Sequence, residues 1–333
     1  MTTALTLLVN ILVILLGCKL FSNGVEWFGR RLKLGDASVG SILAAVGTAL
    51  PEAVVPIIAI VFGTSKEVED IGIGAIVGSS FMLATLALSV TGVAVAVFSM
   101  GGRRSVYVKA DPVILARDLR FFFVTYSCTI GAALLHWREL QLALAFGLVL
   151  AYGVYVYKTI TGDSASDYDL EPLYFHRGAV TPSFLSVTGQ MLVALVVIVV
   201  GAKFFVSGIE QASMALAIPT LVFSLLVTPF ATELPEKFNS IMWIRQGKDT
   251  LALGNITGAM VFQACILPAI GILLTPWELT PPSLIAAGLG LTSTGAAYVQ
   301  LKVRGNLHYR HLIGMGLLYL GFAVYAIMLA TKW

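Results

Sequence analysis

Ten apolar runs follow one another along the chain with little between them. They fall at roughly 3–22, 38–62, 72–98, 118–136, 139–158, 184–208, 217–243, 250–274, 281–301 and 309–331. A helix needs about 20 apolar residues to cross the hydrocarbon core of a bilayer. No water reaches backbone polar groups there, so such runs must close their own hydrogen bonds as α-helices. The fold class this dictates is an all-α polytopic membrane protein with ten transmembrane helices. A soluble core fails on composition. Of the 333 residues, 58% are hydrophobic and only 12% are charged, against about 25% charged in soluble domains.

The connections are too short to hold a folded soluble domain. The longest, 161–183, opens with TGDSASDYDLEP, the most acidic stretch of the chain. It divides the runs five and five. We therefore expect a first five-helix unit at 1–160, an acidic connecting loop at 161–183 and a second unit at 184–333. The stretch LVILLGCK at 12–19 resembles a lipoprotein cleavage site, but no Lys or Arg precedes it. A signal peptide needs that charge, so the stretch reads as part of the first helix. Cys18, Cys128 and Cys265 fall in apolar runs and form no metal or disulfide spacing. His136, His176, His308 and His311 fall at segment ends or in loops, which suits interfacial residues.

Basic residues set orientation, because Lys and Arg collect in cytoplasmic loops. With the N-terminus outside, fifteen of the 21 basic residues lie in inside loops and three outside. Both termini are then expected on the non-cytoplasmic side. The other three, Lys19, Lys203 and Lys237, lie within runs. Lys19 and Lys203 read as snorkelling side chains, and Glu26 and Glu210 as surface residues.

The chain repeats itself. Laid over itself with Gly17 on Gly201, GCKLFSNGVE (17–26) matches GAKFFVSGIE (201–210). In the same register, without a gap, VGTALPE (46–52) matches FATELPE (230–236). After a four-residue deletion, GAIVGSS (74–80) matches GNITGAM (254–260). Shared Leu and Val are common between apolar helices. Matched Lys, Glu, Pro and Gly in one register indicate duplication. Each copy holds five runs, an odd number, so the copies face opposite ways across the membrane. Inverted repeats with broken helices at the midplane are a transporter design.

The repeated Thr-x-Leu-Pro-Glu places charge where charge is most expensive. Pro51 cannot donate to the carbonyl of Gly47, nor Pro235 to that of Ala231. Each break leaves a carbonyl oxygen beside a carboxylate, Glu52 or Glu236, with the hydroxyl of Thr48 or Thr232 one turn away. Two such breaks facing each other make an oxygen cage with at least two negative charges. Such cages suit hard cations, Ca²⁺, Na⁺, Mg²⁺ or Mn²⁺. Glu233 leaves two arrangements open. It lies three residues before Glu236, which makes it a third carboxylate of the cage, and four before Lys237, which makes it half of an ion pair.

These motifs, in this order and spacing over nearly the whole chain, resemble the two alpha repeats of the cation/Ca²⁺ exchanger superfamily. The resemblance implies that the second, third, seventh and eighth helices form the site and that the first and sixth slide as a gate. Glu52 and Glu236 match its ion-holding carboxylates, Thr48 and Thr232 its threonines, and Ser79 a serine ligand. Asn255 lies in the matching GNITGAM stretch. The departures are Ala49 and Glu233 where Ser is frequent, Leu83 and Gln263 where Asn or Asp is, Ala259 where a serine ligand is common, and Lys19 and Lys203 for a gate Asp. Polar ligands for separate Na⁺ sites are thus partly missing.

The function expected is secondary active antiport of Ca²⁺ or a similar divalent cation for Na⁺ or H⁺. The alternatives are a monovalent Na⁺/H⁺ exchanger on the same fold and, further off, a cation channel. No enzyme chemistry, cofactor or nucleic acid is expected. The partners are inorganic cations and the lipid bilayer.

Overall fold

The computed structural model describes residues 2–31, 50–63, 65–100, 104–162, 171–176, 182–216 and 218–330. Among them, regular structure is helical except for one short ladder. The helices are α1 (Thr2–Arg31), α2 (Leu50–Phe62), α3 (Lys66–Ser99), α4 (Pro112–Ala133), α5 (Arg138–Gly162), α6 (Phe184–Leu216), α7 (Thr220–Thr232), α8 (Leu234–Arg245), α9 (Asp249–Leu274), α10 (Pro281–Arg304) and α11 (Tyr309–Ala330). Strands β1 (Tyr107–Val108) and β2 (Leu307–His308) pair antiparallel, Tyr107 with His308 and Val108 with Leu307.

Local chemistry sets several boundaries. Asp111 caps α4, its carboxylate accepting from the amides of Val113 and Ile114, and Pro112 follows where no amide is needed. Gly305 ends α10 at φ 69°, a left-handed conformation that suits glycine.

The chain is a multi-pass membrane protein. Seven of the described helices are long and apolar enough to cross a bilayer: α1, α3, α5, α6, α9, α10 and α11. The apolar α2 and α7 are shorter, and α4 carries Arg117, Asp118 and Arg120 near its start. Burial is arranged for lipid. The most apolar stretches of α3 and α9 are 67% buried, whereas those of α1 and α5 are only 18% and 22% buried. Leu5, Leu8, Leu12 and Leu16 of α1 are all exposed, as a lipid-facing surface requires.

The run 38–62 is described from Leu50 onward, as α2. Two other runs differ from the sequence reading. The run 217–243 is two helices, α7 and α8, separated at Glu233. Helix α3 starts at Lys66 and runs through a π-turn at Leu83–Ala87. Residues 171–176 of the connecting loop dock on α1 and α6. The Asn23 amide donates to the carbonyls of Glu171 and Pro172, the Trp27 indole to that of Glu171, and the amide of Phe175 to Gln190.

Helices α1 and α6 pack along their length, and the contacts come in matched sets. Gly17 faces Ile198, and Gly201 faces Ile14; Gly24 faces Met191, and Gly208 faces Leu7. As one number rises the other falls, so the two helices run antiparallel. The register that lays Gly17 on Gly201 carries each contact onto its partner. A Cβ at Gly17 or Gly201 would press into the opposing isoleucine, so these two glycines permit the close crossing.

Candidate cation site

Both Leu-Pro-Glu motifs lie in a helix. Leu50-Pro51-Glu52 is the first described turn of α2, and Leu234-Pro235-Glu236 the first turn of α8. Proline is tolerated there, because the first-turn amides have no partner within the helix. The same turn carries the positive end of the helix dipole, which favours a carboxylate. The Glu52 side chain is 2% exposed. Glu236 holds the matching place in α8; its side chain and that of Ala231 lie outside the described ones. Gly47 and Thr48 lie outside the described residues.

The break before α8 is built on Glu233, at φ −92° and ψ 14°. Its amide still bonds the carbonyl of Pro229 at 3.0 Å, and its carbonyl accepts from Lys237 at 3.3 Å. The Glu233 side chain is fully buried. Its carboxylate lies 3.6 Å from the Lys237 ammonium, and the Gln263 amide donates to it at 3.4 Å. Lys237 is itself buried, 3.8 Å from the Met82 sulfur and over the Phe230 ring. The break, α8, α9 and α3 therefore meet at one polar point. Of the two arrangements left open for Glu233, the ion pair is formed, and it lies beside Gln263.

The central helices bring further oxygens. Ser79 on α3 is buried. Its neighbour Ser80 is fully buried, and its hydroxyl has no hydrogen-bond partner among the described residues; the same holds for the side-chain carbonyl of Gln263. Buried acceptors left open are costly in a protein interior and invite a donor or a cation. Thr232 is buried and donates to the carbonyl of Thr228 at 3.1 Å. It shares a narrow crevice with Ile11, Ile14 and Leu15 of α1 and Phe205 of α6, so this residue of α7 touches the α1–α6 pair. Asn255 is half-buried near the start of α9. No group of three or more His, Cys, Asp or Glu converges among the described residues, which leave the Glu236 carboxylate aside.

Close packing holds α3 against α7. The faces of Gly74 and Gly78 meet the backbone of Leu221 and Leu225. Ser224 donates to the carbonyl of Ile71 at 2.7 Å and lies 3.0 Å from Thr228. Thr220, Ser224, Thr228 and Thr232 recur every fourth residue, which is one face of α7. At its start this face meets a cavity of about 560 Å³ lined by Glu67, Asp70, Ser213 and Thr280 among others.

Sequence reasoning missed two buried polar residues, Ser80 and Asp118. Ser80 was adjacent to a named residue. Asp118 stood at the start of a run, yet it is buried, pairs with Arg117 at 3.0 Å and accepts from Thr257 of α9 at 2.8 Å. An ionisable residue inside a membrane-spanning sequence was the signal available for it.

The fold and its buried charges are those of a helical, multi-pass membrane protein that holds polar groups inside its spans. Residues 2–161 and 186–328 match the family described as sodium/calcium exchanger protein. This chain belongs to that family of transporters. The inner membrane protein YrbG of Escherichia coli is 25% identical over 284 residues, covering 84% of this chain and 82% of YrbG. Among solved structures, an H⁺/Ca²⁺ exchanger, CAX, superposes with a TM-score of 0.74 at 18% identity, covering 98% of this chain and 86% of the exchanger. The sodium–calcium exchanger NCX_Mj superposes with a TM-score of 0.59 at 18% identity, covering 96% of this chain and 97% of that one.

Proposed function

We propose that the protein exchanges Ca²⁺ or a similar divalent cation for Na⁺ or H⁺ by alternating access. Its frame is ten transmembrane helices in two inverted five-helix repeats, 1–160 and 184–333, joined by 161–183, with both termini on the non-cytoplasmic side. One observation carries this reading. Two glutamates, Glu52 and Glu236, hold equivalent places in the repeat, and each stands directly after a Leu-Pro in a helix within an apolar run, Glu52 being buried.

The packing supports the repeats. The α1–α6 contacts exchange in the same register. Thr129 of α4 donates to the carbonyl of Ala264, and Ser293 of α10 to that of Ala84, the residue that matches Ala264 after the four-residue deletion.

In this reading the divalent ion is held by the carboxylates of Glu52 and Glu236. The hydroxyls of Thr48, Thr232 and Ser79, the side chains of Asn255 and Gln263, and the carbonyls of Gly47 and Ala231 complete its shell. Hard cations of this size take about 6–8 oxygens, fewer than these nine groups offer, so not all of them ligate at once. Glu233 adds a carboxylate whose charge Lys237 already holds. Helices α1 and α6 slide past the site as the gate, with Thr232 at the contact. The two solved exchangers, whose names pair Ca²⁺ with H⁺ or Na⁺, are consistent with this substrate class.

The test is flux in proteoliposomes with Ca²⁺, Mg²⁺, Mn²⁺ and Na⁺, at several pH values. An antiporter accelerates divalent uptake when the counter-ion is loaded on the other side. Uptake should fall when the medium on the substrate side is acidified, as protons compete for the carboxylates. Uptake that follows voltage alone, whatever ion is loaded opposite, would reject antiport in favour of a channel.

A further inference from the structure

The second half of the chain carries a charged insert that the first half lacks. In the register that lays Glu52 on Glu236, Glu233 matches Ala49 and Lys237 matches Ala53. In the register that follows the four-residue deletion, Gln263 matches Leu83. These three polar residues, unmatched in the first half, are the ones that touch. Lys237 lies 3.6 Å from Glu233, Gln263 donates to Glu233 at 3.4 Å, and Lys237 reaches Met82, next to Leu83, at 3.8 Å.

The insert has no counterpart in the first half, where Leu-Pro-Glu lies in α2 and the sequence carries alanine at both positions. A buried ion pair is in general no more stabilising than apolar residues of similar volume. A reason other than stability is therefore needed for charges in the break itself.

We propose that Lys237 is a tethered cation that permanently neutralises Glu233, so that the site presents two mobile-ion charges and the exchange is electroneutral, one divalent cation against two monovalent ones. This rests on the antiporter reading above and sets its stoichiometry. In the site proposed above, Glu52, Glu233 and Glu236 bring three negative charges, and Lys237, 3.6 Å from Glu233, brings one positive charge. A loaded site crosses the closed state readily only when its fixed charge is compensated, because uncompensated charge in a low-dielectric interior is expensive. One divalent ion balances the remaining two charges in one direction. Two protons or two Na⁺ balance them in the other. A third monovalent cation on Glu233 would sit beside the ammonium and be repelled by it. Without Lys237, the divalent-loaded site keeps one uncompensated carboxylate and crosses more slowly, while three monovalent ions balance the return, so each cycle moves one net charge.

The experiment is ⁴⁵Ca²⁺ accumulation in proteoliposomes, with Mn²⁺ run in parallel, under an imposed H⁺ or Na⁺ gradient and with membrane potential clamped by K⁺ and valinomycin. An exchange moving one net charge shifts its final accumulation ratio by about 50-fold per 100 mV. The wild type should keep its ratio unchanged between clamped potentials. Lys237→Met should acquire the dependence. Glu233→Ala/Lys237→Ala, which restores the residues of the first half, should show none, whatever its rate. A potential-dependent ratio in the wild type overturns the proposal. So does a Lys237→Met protein whose ratio ignores potential. If that variant does not fold, the wild-type ratio decides alone. Wild-type vesicles with no countertransport of either divalent ion would instead sink the antiporter reading, which is a different outcome from countertransport with the wrong charge.

Discussion

The start of α2 and the start of α8 repeat the same three residues in different surroundings. Leu50-Pro51-Glu52 lies in a helix that continues Ala-Val-Val-Pro and stays apolar to its end. Leu234-Pro235-Glu236 opens one that follows Glu233 and continues with Lys237, both charged and both buried. The three residues are shared, and each set lies in a helix. The charges are not shared: Glu233 and Lys237 pair at 3.6 Å beside Gln263, where the first half has Ala49, Ala53 and Leu83.

The largest effect expected breaks the two starts where they agree. Glu52→Gln and Glu236→Gln should each lower divalent exchange by at least about 100-fold. That corresponds to about 3 kcal/mol of lost compensation at a buried ion. Initial rates in proteoliposomes check this, with size-exclusion profiles in detergent confirming folding. Exchange near the wild-type rate in either variant would remove that carboxylate from the site.

The next prediction breaks them where they differ. Lys237→Met leaves the Glu233 carboxylate buried without its ammonium and should cost about 3 kcal/mol of stability. Glu233→Gln leaves the ammonium and should cost a similar amount. Glu233→Ala/Lys237→Ala should recover most of the loss, because the charges leave together. Thermal unfolding in detergent measures the three variants. Additive losses in the double variant would mean that the two side chains do not act as a pair.

A smaller effect tests the symmetry of the α1–α6 crossing. Gly17→Leu and Gly201→Leu each push a side chain into the matching isoleucine of the other helix. Overpacking of this kind costs about 1–3 kcal/mol, and the two variants should lose stability to similar degrees. A large loss from one and none from the other would show that the crossing is not symmetric.

The smallest effect concerns the hydroxyls that hold the central helices. Thr129→Val and Ser293→Ala each remove one donor to a buried carbonyl, Ala264 or Ala84. Interhelical bonds of this kind contribute about 0.6 kcal/mol in membrane proteins. Small, similar shifts in melting temperature are expected. A shift several times larger in Ser293→Ala alone would mark the π-turn at Leu83–Ala87 as the more dependent of the two places.

Much of the frame was legible in the chain itself. A bilayer-length apolar run has one way to satisfy its backbone, so helix and membrane followed from hydropathy. The match of 17–52 with 201–236 was read from Lys, Glu, Pro and Gly recurring in register, since lipid-facing surface has no need of them, and the antiparallel α1–α6 contacts fall in that same register. The family resemblance rested on the same residues. The two glutamates were legible because charge in an apolar run must be compensated by something.

What only the tertiary structure decided was which of two local geometries each charge adopts. Spacing alone allowed Glu233 to face either the ion or Lys237. Pro235 prevents one regular helix from running through that point, so no helical wheel could choose. The fold chose by bringing Gln263 of α9 and Met82 of α3 to the break, contacts that join residues 30 and 155 positions apart. The burial of Asp118 is of the same kind. Its local sequence, beside Arg117 and near Arg120, reads as a solvated helix start. Thr257, 139 residues away, makes it an interior hydrogen bond. Sequence periodicity reports what a helix presents to its surroundings. It carries no information on which distant helix will supply those surroundings.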